Sequence, residues 1–566
     1  MLKGVAASSG IGIGKVLKLK ETGTDYVPKT VTDTEAELKR YNSAKDKLCG
    51  EIKKRAKILE KNVGKSEADI LMGHINILKD PWLSDEVKKR ISDGKCAEQA
   101  FESVCDMFIT LFSNAEDDII RQRIDDIKDV KTKLISILLG NESELSEQIP
   151  KNTVIVCKEL TPSVLAELNT ENVIGIIAEN GSVTSHSAIL ARVMEIPAVL
   201  GVTNAVQLLD DCGTVILDGD NGIVIPEPDR AQLESYEKKR ELLLAERREL
   251  EKYRGKKTLS ASKEQYDLVC NVGKADDVLN AIHKDCEGVG LFRTEFMFMD
   301  AVKMPDENEQ FEEYKKAAIM LKDKPLIIRT LDIGGDKPIA YLDLPKEDNP
   351  FMGLRAIRYC LKNRELFRTQ LTAIIRASAY GNIKIMLPLI TCVEELRESK
   401  KLIEEIKQEL RERSVPFDEN IKTGIMAETA SAGMIADILA KESDFISIGT
   451  NDLTGYTMCC DRGNSDVAYL YSVFQPGVLR MIKRIIQCGN DNNIPVGMCG
   501  EAAADPMMTP LLISFGLKEF SVSPSSVLKL RKSISCWSKT RADEIAAKVM
   551  SMSTAREITD YLRTVV

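Results

Sequence analysis

Thr423-Gly424-Ile425-Met426-Ala427-Glu428 is a short apolar run that ends on an acid, and Phe445-Ile446-Ser447-Ile448-Gly449-Thr450-Asn451-Asp452 follows the same plan. An unbroken apolar run of this length suits a strand buried on both faces, as in a parallel sheet. Working outward, Asp267–Val272, Gly288–Phe292, Leu326–Ile328, Ile383–Leu387, Pro495–Met498 and Phe520–Val522 supply six more such runs, alternating with helix-period segments. Eight strands in this rhythm predict a closed (β/α)8 barrel, in which reactive side chains stand just past the C-terminal ends of the strands. Those ends carry Arg293, Arg329, Glu428, Asn451 with Asp452, and Cys499. These are groups suited to a phosphorylated substrate and a metal: the planar guanidinium fork matches phosphate and carboxylate oxygens.

Upstream, Pro226-Glu227-Pro228-Asp229 stops one fold, and 229–256 is charged with Leu233, Leu242, Leu243, Leu250 and Tyr253 at helical spacing. It reads as a connecting helix. Before it, Val154-Ile155-Val156, Val173–Ile177 and Val215-Ile216-Leu217 are short strands alternating with helix, the pattern of a compact α/β unit. Residues 33–140 carry helical periodicity, whereas 1–20 are glycine-rich and β-like. The expected organisation is therefore a multidomain α/β protein. An α/β domain is formed by 1–20 and 145–226, a helical bundle is inserted at 21–144, a linker helix spans 227–256, and the barrel occupies 257–566.

With 566 residues the chain is too long for one core, and 43% hydrophobic with 29% charged residues is ordinary for a globular protein. No apolar run approaches a membrane span, and Gly10, Gly12 and Gly14 interrupt any signal-like block at the start. The net charge of -9 and the absence of an unaccompanied basic cluster speak against nucleic acid. The 14 cysteines follow no disulfide or zinc spacing, which fits a reducing cytoplasm. With only His74, His186 and His283 present, histidine chemistry has few candidates.

His186 lies in Gly181-Ser182-Val183-Thr184-Ser185-His186-Ser187-Ala188-Ile189-Leu190-Ala191-Arg192, after an apolar strand and at the start of a helical pattern. Small hydroxyl residues leave the imidazole approachable, and a helix N-terminus offers donors to phosphate. Neutral imidazole is a good nucleophile near pH 7, and phosphohistidine is a labile intermediate. With Glu195-Ile196-Pro197-Ala198-Val199, this stretch resembles the phosphohistidine motif of the phosphoenolpyruvate-utilising enzymes. From Gly4 through the barrel the chain resembles the enzyme I family of the sugar phosphotransferase system.

That resemblance implies phosphoryl transfer from phosphoenolpyruvate to His186 on a swivelling phosphohistidine domain. The phosphoryl group then passes to the histidine-containing phosphocarrier protein HPr, with release of pyruvate. It also implies that Arg293, Arg329, Asn451, Asp452 and Arg462 bind substrate, that Glu428 and Asp452 hold Mg2+, and that Cys499 is the acid that protonates the enolate. Gly73-His74-Ile75 and Asp125–Val130 resemble the part that receives the carrier, and homodimerisation through the barrel is implied as well. Arg355 and Arg358 are further basic candidates near the site.

The chain departs from the family pattern at Ser9, Ser182, Ala430-Ser431, Gly455 and Ser472-Val473. Two rivals remain open at this stage: a dikinase-type phosphoenolpyruvate or pyruvate enzyme, and a non-catalytic regulator that binds phosphoenolpyruvate or the carrier. Only about 150 residues precede the phosphohistidine unit, they read mainly as a helical bundle, and they hold no glycine-rich phosphate loop, which disfavours the dikinase, since that enzyme needs a nucleotide-binding domain.

Overall fold

The computed structural model describes the chain except for residues 20–25, 63–64, 114–117, 142–148, 161–163, 165–171, 182–187, 189–190, 193, 210–211, 300, 302, 335–338, 343 and 345–346, with some helical positions described by backbone alone. It divides into two compact units, Met1–Arg247 and Arg248–Val566.

The first unit opens with strands β1 (Leu2–Lys3), β2 (Val5–Ser8) and β3 (Ile11–Lys18). Helices α1 (Thr34–Asn62), α2 (Lys65–Lys79), α3 (Pro81–Ser92), α4 (Ala97–Ser113) and α5 (Asp118–Leu139) follow. Strands β4 (Thr153–Cys157), β5 (Val173–Ala178), β6 (Ala198–Leu200), β7 (Thr214–Asp218) and β8 (Ile223–Pro226) then complete one sheet in the order β1-β8-β7-β3-β4-β5-β6-β2. Strand β3 runs parallel to β4, with Lys15 opposite Thr153, and antiparallel to β7, so the five helices leave the sheet and return beside their point of departure. Only Gly4 separates the two edge strands β1 and β2, so the sheet curls until its edges approach. A Cβ at Gly4 would sit 2.5 Å from the carbonyl oxygen of Leu200, leaving room for glycine alone.

Among the helices, the Asp80 carboxylate accepts the N–H of Leu83 at 2.9 Å and caps α3, with Pro81 at the first helical position. His74 is buried, with Asp126 at 3.3 Å and Asp129 at 3.7 Å. The connecting segment forms α6 (Arg230–Glu251), in which no residue is buried; its Lys239 pairs with the buried Asp218 at 2.8 Å.

In the second unit, β9 (Asp267–Val272), β10 (Val289–Arg293), β11 (Leu326–Arg329), β12 (Ile383–Leu387), β13 (Lys422–Ala427), β14 (Ile446–Ile448), β15 (Val496–Met498) and β16 (Glu519–Val522) close into a parallel barrel. A layer of side chains (Leu291, Ile327, Met386, Met426, Phe445 and Cys499) fills its interior, so the barrel is a packed core and not a pore. Arg531 is almost wholly buried and donates to Thr258 Oγ1 at 3.0 Å, the Tyr253 carbonyl at 3.0 Å and the Asp285 carbonyl at 2.9 Å. It also pairs with the Asp285 carboxylate, tying the chain that enters the barrel to its wall. One finding departs from the sequence reading of the cysteines: Cys270 in β9 and Cys286 just before β10 are joined as a disulfide across the connection that contains the helix Asp277–His283, with Cα atoms 6.2 Å apart. Their separation of 16 residues resembles no spacing motif.

Candidate active site

At the C-terminal mouth of the barrel a cavity of about 280 Å3 is lined by Arg293, Arg329, Glu428, Asn451, Asp452, Arg462 and Cys499, which gathers all seven residues expected there from the sequence. It is also lined by Glu295, Asp332, Phe351 and Arg355, of which only Arg355 was expected. His186 lies outside the described residues, as do Thr184 and Ser185.

The strand register explains the convergence. Arg293 and Arg329 end neighbouring strands and stand opposite each other. Arg329 is buried, with Nη2 3.1 Å from Glu295 and Nη1 3.1 Å from Asp332. Arg355, also buried, places Nη2 3.0 Å from Asp332 and 3.1 Å from Asp452, while Nη1 lies 3.2 Å from the Tyr456 hydroxyl. Arg358 does not reach the cavity; it donates to the carbonyls of Met352 at 3.0 Å and Gly353 at 3.2 Å and steadies the loop before Arg355.

Glu428 is buried just past β13 and accepts the backbone N–H of Leu389 at 2.6 Å. Leu389 aims that N–H with a left-handed φ of 54°. Such a backbone costs a non-glycine residue about 1–2 kcal/mol, and local strain of this kind is tolerated where surrounding structure holds it. Burial, then the nearby charges of Asp452 and Asp332, push Glu428 well above the usual carboxylate range, although Arg329 and Arg355 pull the other way.

A further cation beside Glu428 and Asp452 would relieve that crowding. Two carboxylates together with substrate oxygens and water are the usual way a protein holds Mg2+, so the residues present fit that ion. Among the described residues, no group of three or more His, Cys, Asp or Glu side chains could hold a metal ion without such help.

Cys499 is buried, with Sγ 3.7 Å from the Ile448 carbonyl and its own carbonyl accepting Asn271 Nδ2 at 3.1 Å. Burial pushes the thiol up to about 11, against the pull of Ser447 and Arg329. It therefore carries its proton at neutral pH. Asn451, in the first turn of the helix Thr450–Met458, donates to Glu501, two residues past Cys499, at 3.3 Å and so ties the ends of β14 and β15 together.

Three family models of the phosphoenolpyruvate-utilising enzymes match: the N-terminal domain over residues 3–123, the mobile domain over 149–222 and the phosphoenolpyruvate-binding domain over 247–538. The barrel and its arginine-lined mouth fall in the last of these. At 42% identity over 99% of both chains, the protein is similar to a phosphoenolpyruvate-protein phosphotransferase of Bacillus subtilis (strain 168). It is 40% identical to a protein of the same name from Priestia megaterium, over 99% of this chain and 98% of the relative. A solution structure of the enzyme I protein nEIt is 33% identical over 43% of this chain and 99% of its own, with a TM-score of 0.38. The chain belongs to the phosphoenolpyruvate-utilising enzymes and, within them, to the phosphoenolpyruvate-protein phosphotransferase family.

Proposed function

We propose that the protein transfers the phosphoryl group of phosphoenolpyruvate to its own His186 and then to the phosphocarrier protein HPr, releasing pyruvate, as the first step of a sugar phosphotransferase system. The carrying observation is that arginines for a phosphoryl group, carboxylates for a divalent cation and a protonated thiol share one small cavity.

In this reading Arg293, Arg329 and Arg462 grip phosphate and carboxylate oxygens, and Asn451 adds an amide donor. Glu428 and Asp452 hold Mg2+, which when bound offsets charge on the phosphoryl and enolate oxygens. A nitrogen of His186 attacks phosphorus in line, and the bond from phosphorus to the enol oxygen breaks with its electron pair going to that oxygen. The Cys499 thiol gives its proton to the methylene carbon, forming pyruvate, and the thiolate recovers a proton from water.

The helical block of residues 21–144 receives the carrier. Exposed apolar side chains support this: Trp82, packed edge-on against Phe108 at 4.9 Å, with Met107 and Leu111 on α4, and Met72 on α2. The α/β part, 1–20 with 145–226, carries the phosphohistidine and swings between barrel and helices around residues 226–256. Exposed Met434 and Ile438 are in keeping with homodimerisation through the barrel. Among the described residues no helix is long and apolar enough to cross a membrane, and we place the protein in the cytoplasm.

The test is transfer of labelled phosphate from phosphoenolpyruvate, with Mg2+, to the protein and on to HPr, comparing wild type with His186→Ala. Acid-labile label that requires His186 and chases onto HPr is expected. Label that chases only to a nucleotide identifies a dikinase, and no label at all a regulator.

A further inference from the structure

The two buried arginines of the cavity are held by acids beside them in its wall, to which the family reading gives no role. Asp332 is buried and bridges them, one carboxylate oxygen to each guanidinium: Oδ2 to Arg329 at 3.1 Å and Oδ1 to Arg355 at 3.0 Å. Glu295, buried too, supports that bridge, because its Oε1 takes both Arg329 Nη2 at 3.1 Å and the backbone N–H of Asp332 at 3.0 Å. The backbone on either side of Arg329 is fixed as well. Thr294 Oγ1 donates to the Arg329 carbonyl at 2.9 Å, and the buried Gln370 accepts the Leu331 N–H at 2.8 Å while donating to Thr294 at 3.2 Å.

The pattern of hydrogen bonds on the guanidiniums is uneven. Their Nη groups are taken by Asp332, Glu295, Asp452 and the Tyr456 hydroxyl, whereas Nε of Arg329 and Nε of Arg355 are buried with no hydrogen-bond partner. Buried donors are rarely left unmatched, and orphans at a cavity wall suit an incoming anionic ligand. A charged side chain on a long stem holds an angle poorly by itself, whereas a guanidinium clamped by carboxylates is pre-organised for a planar or tetrahedral anion.

We infer that Asp332 is a positioning residue for phosphoryl transfer, and that Glu295 positions Asp332. Asp332 fixes Arg329 and Arg355 at one separation and orientation, so that their unpaired Nε–H groups meet the phosphoryl oxygens as the bond to the enol oxygen breaks. The inference rests on the reading of the cavity as the phosphoenolpyruvate site. Asp332→Asn retains the shape of the side chain and one acceptor but removes the charge that holds two guanidiniums. Substrate should still enter, and its alignment should be lost.

The experiment is single-turnover transfer of labelled phosphate from phosphoenolpyruvate to His186 at saturating Mg2+, in the full-length protein. Asp332→Asn and Glu295→Gln are compared with wild type, Arg355→Lys and the double variant Asp332→Asn/Arg355→Lys. Back-transfer from phosphorylated HPr to His186, which in the proposed function involves the α/β part and the helical block only, serves as the control. Misalignment by about 1 Å corresponds to a rate loss of about 100-fold. A loss of that order is expected for Asp332→Asn, and a smaller one for Glu295→Gln. KM for phosphoenolpyruvate should change far less than kcat, and back-transfer should run at the wild-type rate. Because Asp332 acts in part through Arg355, the loss in the double variant should be clearly smaller than the product of the two single losses, the remainder running through Arg329. A wild-type rate per folded molecule with only a lowered melting temperature would overturn the inference, as would losses that multiply independently in the double variant. Should Asp332→Asn fail to fold, Glu295→Gln carries the same comparison. Absence of labelling in wild type would instead count against the proposed function itself.

Discussion

Replacing Gly500 by alanine should disable the site without touching any group that reacts. Gly500 follows Cys499 and stands against the first turn of the helix Thr450–Met458, which carries Asn451 and Asp452. A methyl group there would lie 1.9 Å from Thr450 Oγ1 and 2.6 Å from the Thr450 backbone nitrogen. The hydroxyl can rotate, but the backbone nitrogen cannot, and reaching ordinary van der Waals separation requires a shift of about 1 Å between the two loops. That displacement separates the thiol from the Asn451–Asp452 corner. Overpacking of this size costs about 1–3 kcal/mol in stability, and a misplacement of about 1 Å costs roughly 100-fold in turnover. The assay is pyruvate release coupled to a dehydrogenase, with a thermal melt and HPr back-transfer to His186 as controls. We expect a folded protein with intact back-transfer and a large fall in kcat. Turnover equal to wild type would show that the two segments do not have to keep this spacing for catalysis.

Two further outcomes are expected. The Cys499 thiol, raised to about 11 by burial, loses its proton only as pH climbs toward that value, so its alkylation rate should keep rising beyond pH 9 and level near 11. A plateau at or below pH 9, followed by mass spectrometry of the Cys499 peptide, would contradict this. Arg531→Met removes a guanidinium that holds Asp285, the Tyr253 carbonyl and Thr258. Because the Asp285 side chain is 28% exposed and partly screened, the stability loss measured by denaturant unfolding should be about 2 kcal/mol, less than for a fully buried pair.

The barrel was legible because its strands are buried on both faces and so read as unbroken apolar runs, each ending in a polar residue where the chain leaves the core. β9 and β12 fall where the apolar runs placed them, and the other six begin or end one residue away. Arg293, Arg329, Glu428, Asn451, Asp452 and Cys499 were legible for the same reason, since a strand end fixes a side chain's place around the rim. Arg462 was found by resemblance, for it lies beyond a helix and no periodicity points to it. Asp332 and Glu295 were hidden, although each sits within three residues of a strand-end arginine. An acid in a loop reads as solvated, and only the fold shows that Asp332 bridges two arginines from different segments. The opening residues 1–20 gave a correct β-like signal without showing that β1 and β2 lie at opposite edges of the sheet. Their partners, β8 and β6, are about 200 residues away, beyond the reach of any local pattern.

That remoteness shapes how the chain leaves the ribosome. β3 has no neighbour until Thr153 has emerged, and β1 none until Ile223 has, whereas α1–α5 are complete at Leu139. At about 5–20 residues per second, the first strand waits on the order of ten to forty seconds. During that interval the helices can collapse on local contacts, which form faster than distant strand pairings. The waiting segment is poor material for mispairing: Gly4, Gly10, Gly12 and Gly14 weaken it as a strand, and Lys3, Lys15 and Lys18 charge it. Composition that looks unfavourable for a finished sheet thus protects an unfinished one, until translation delivers the strands it was made to meet.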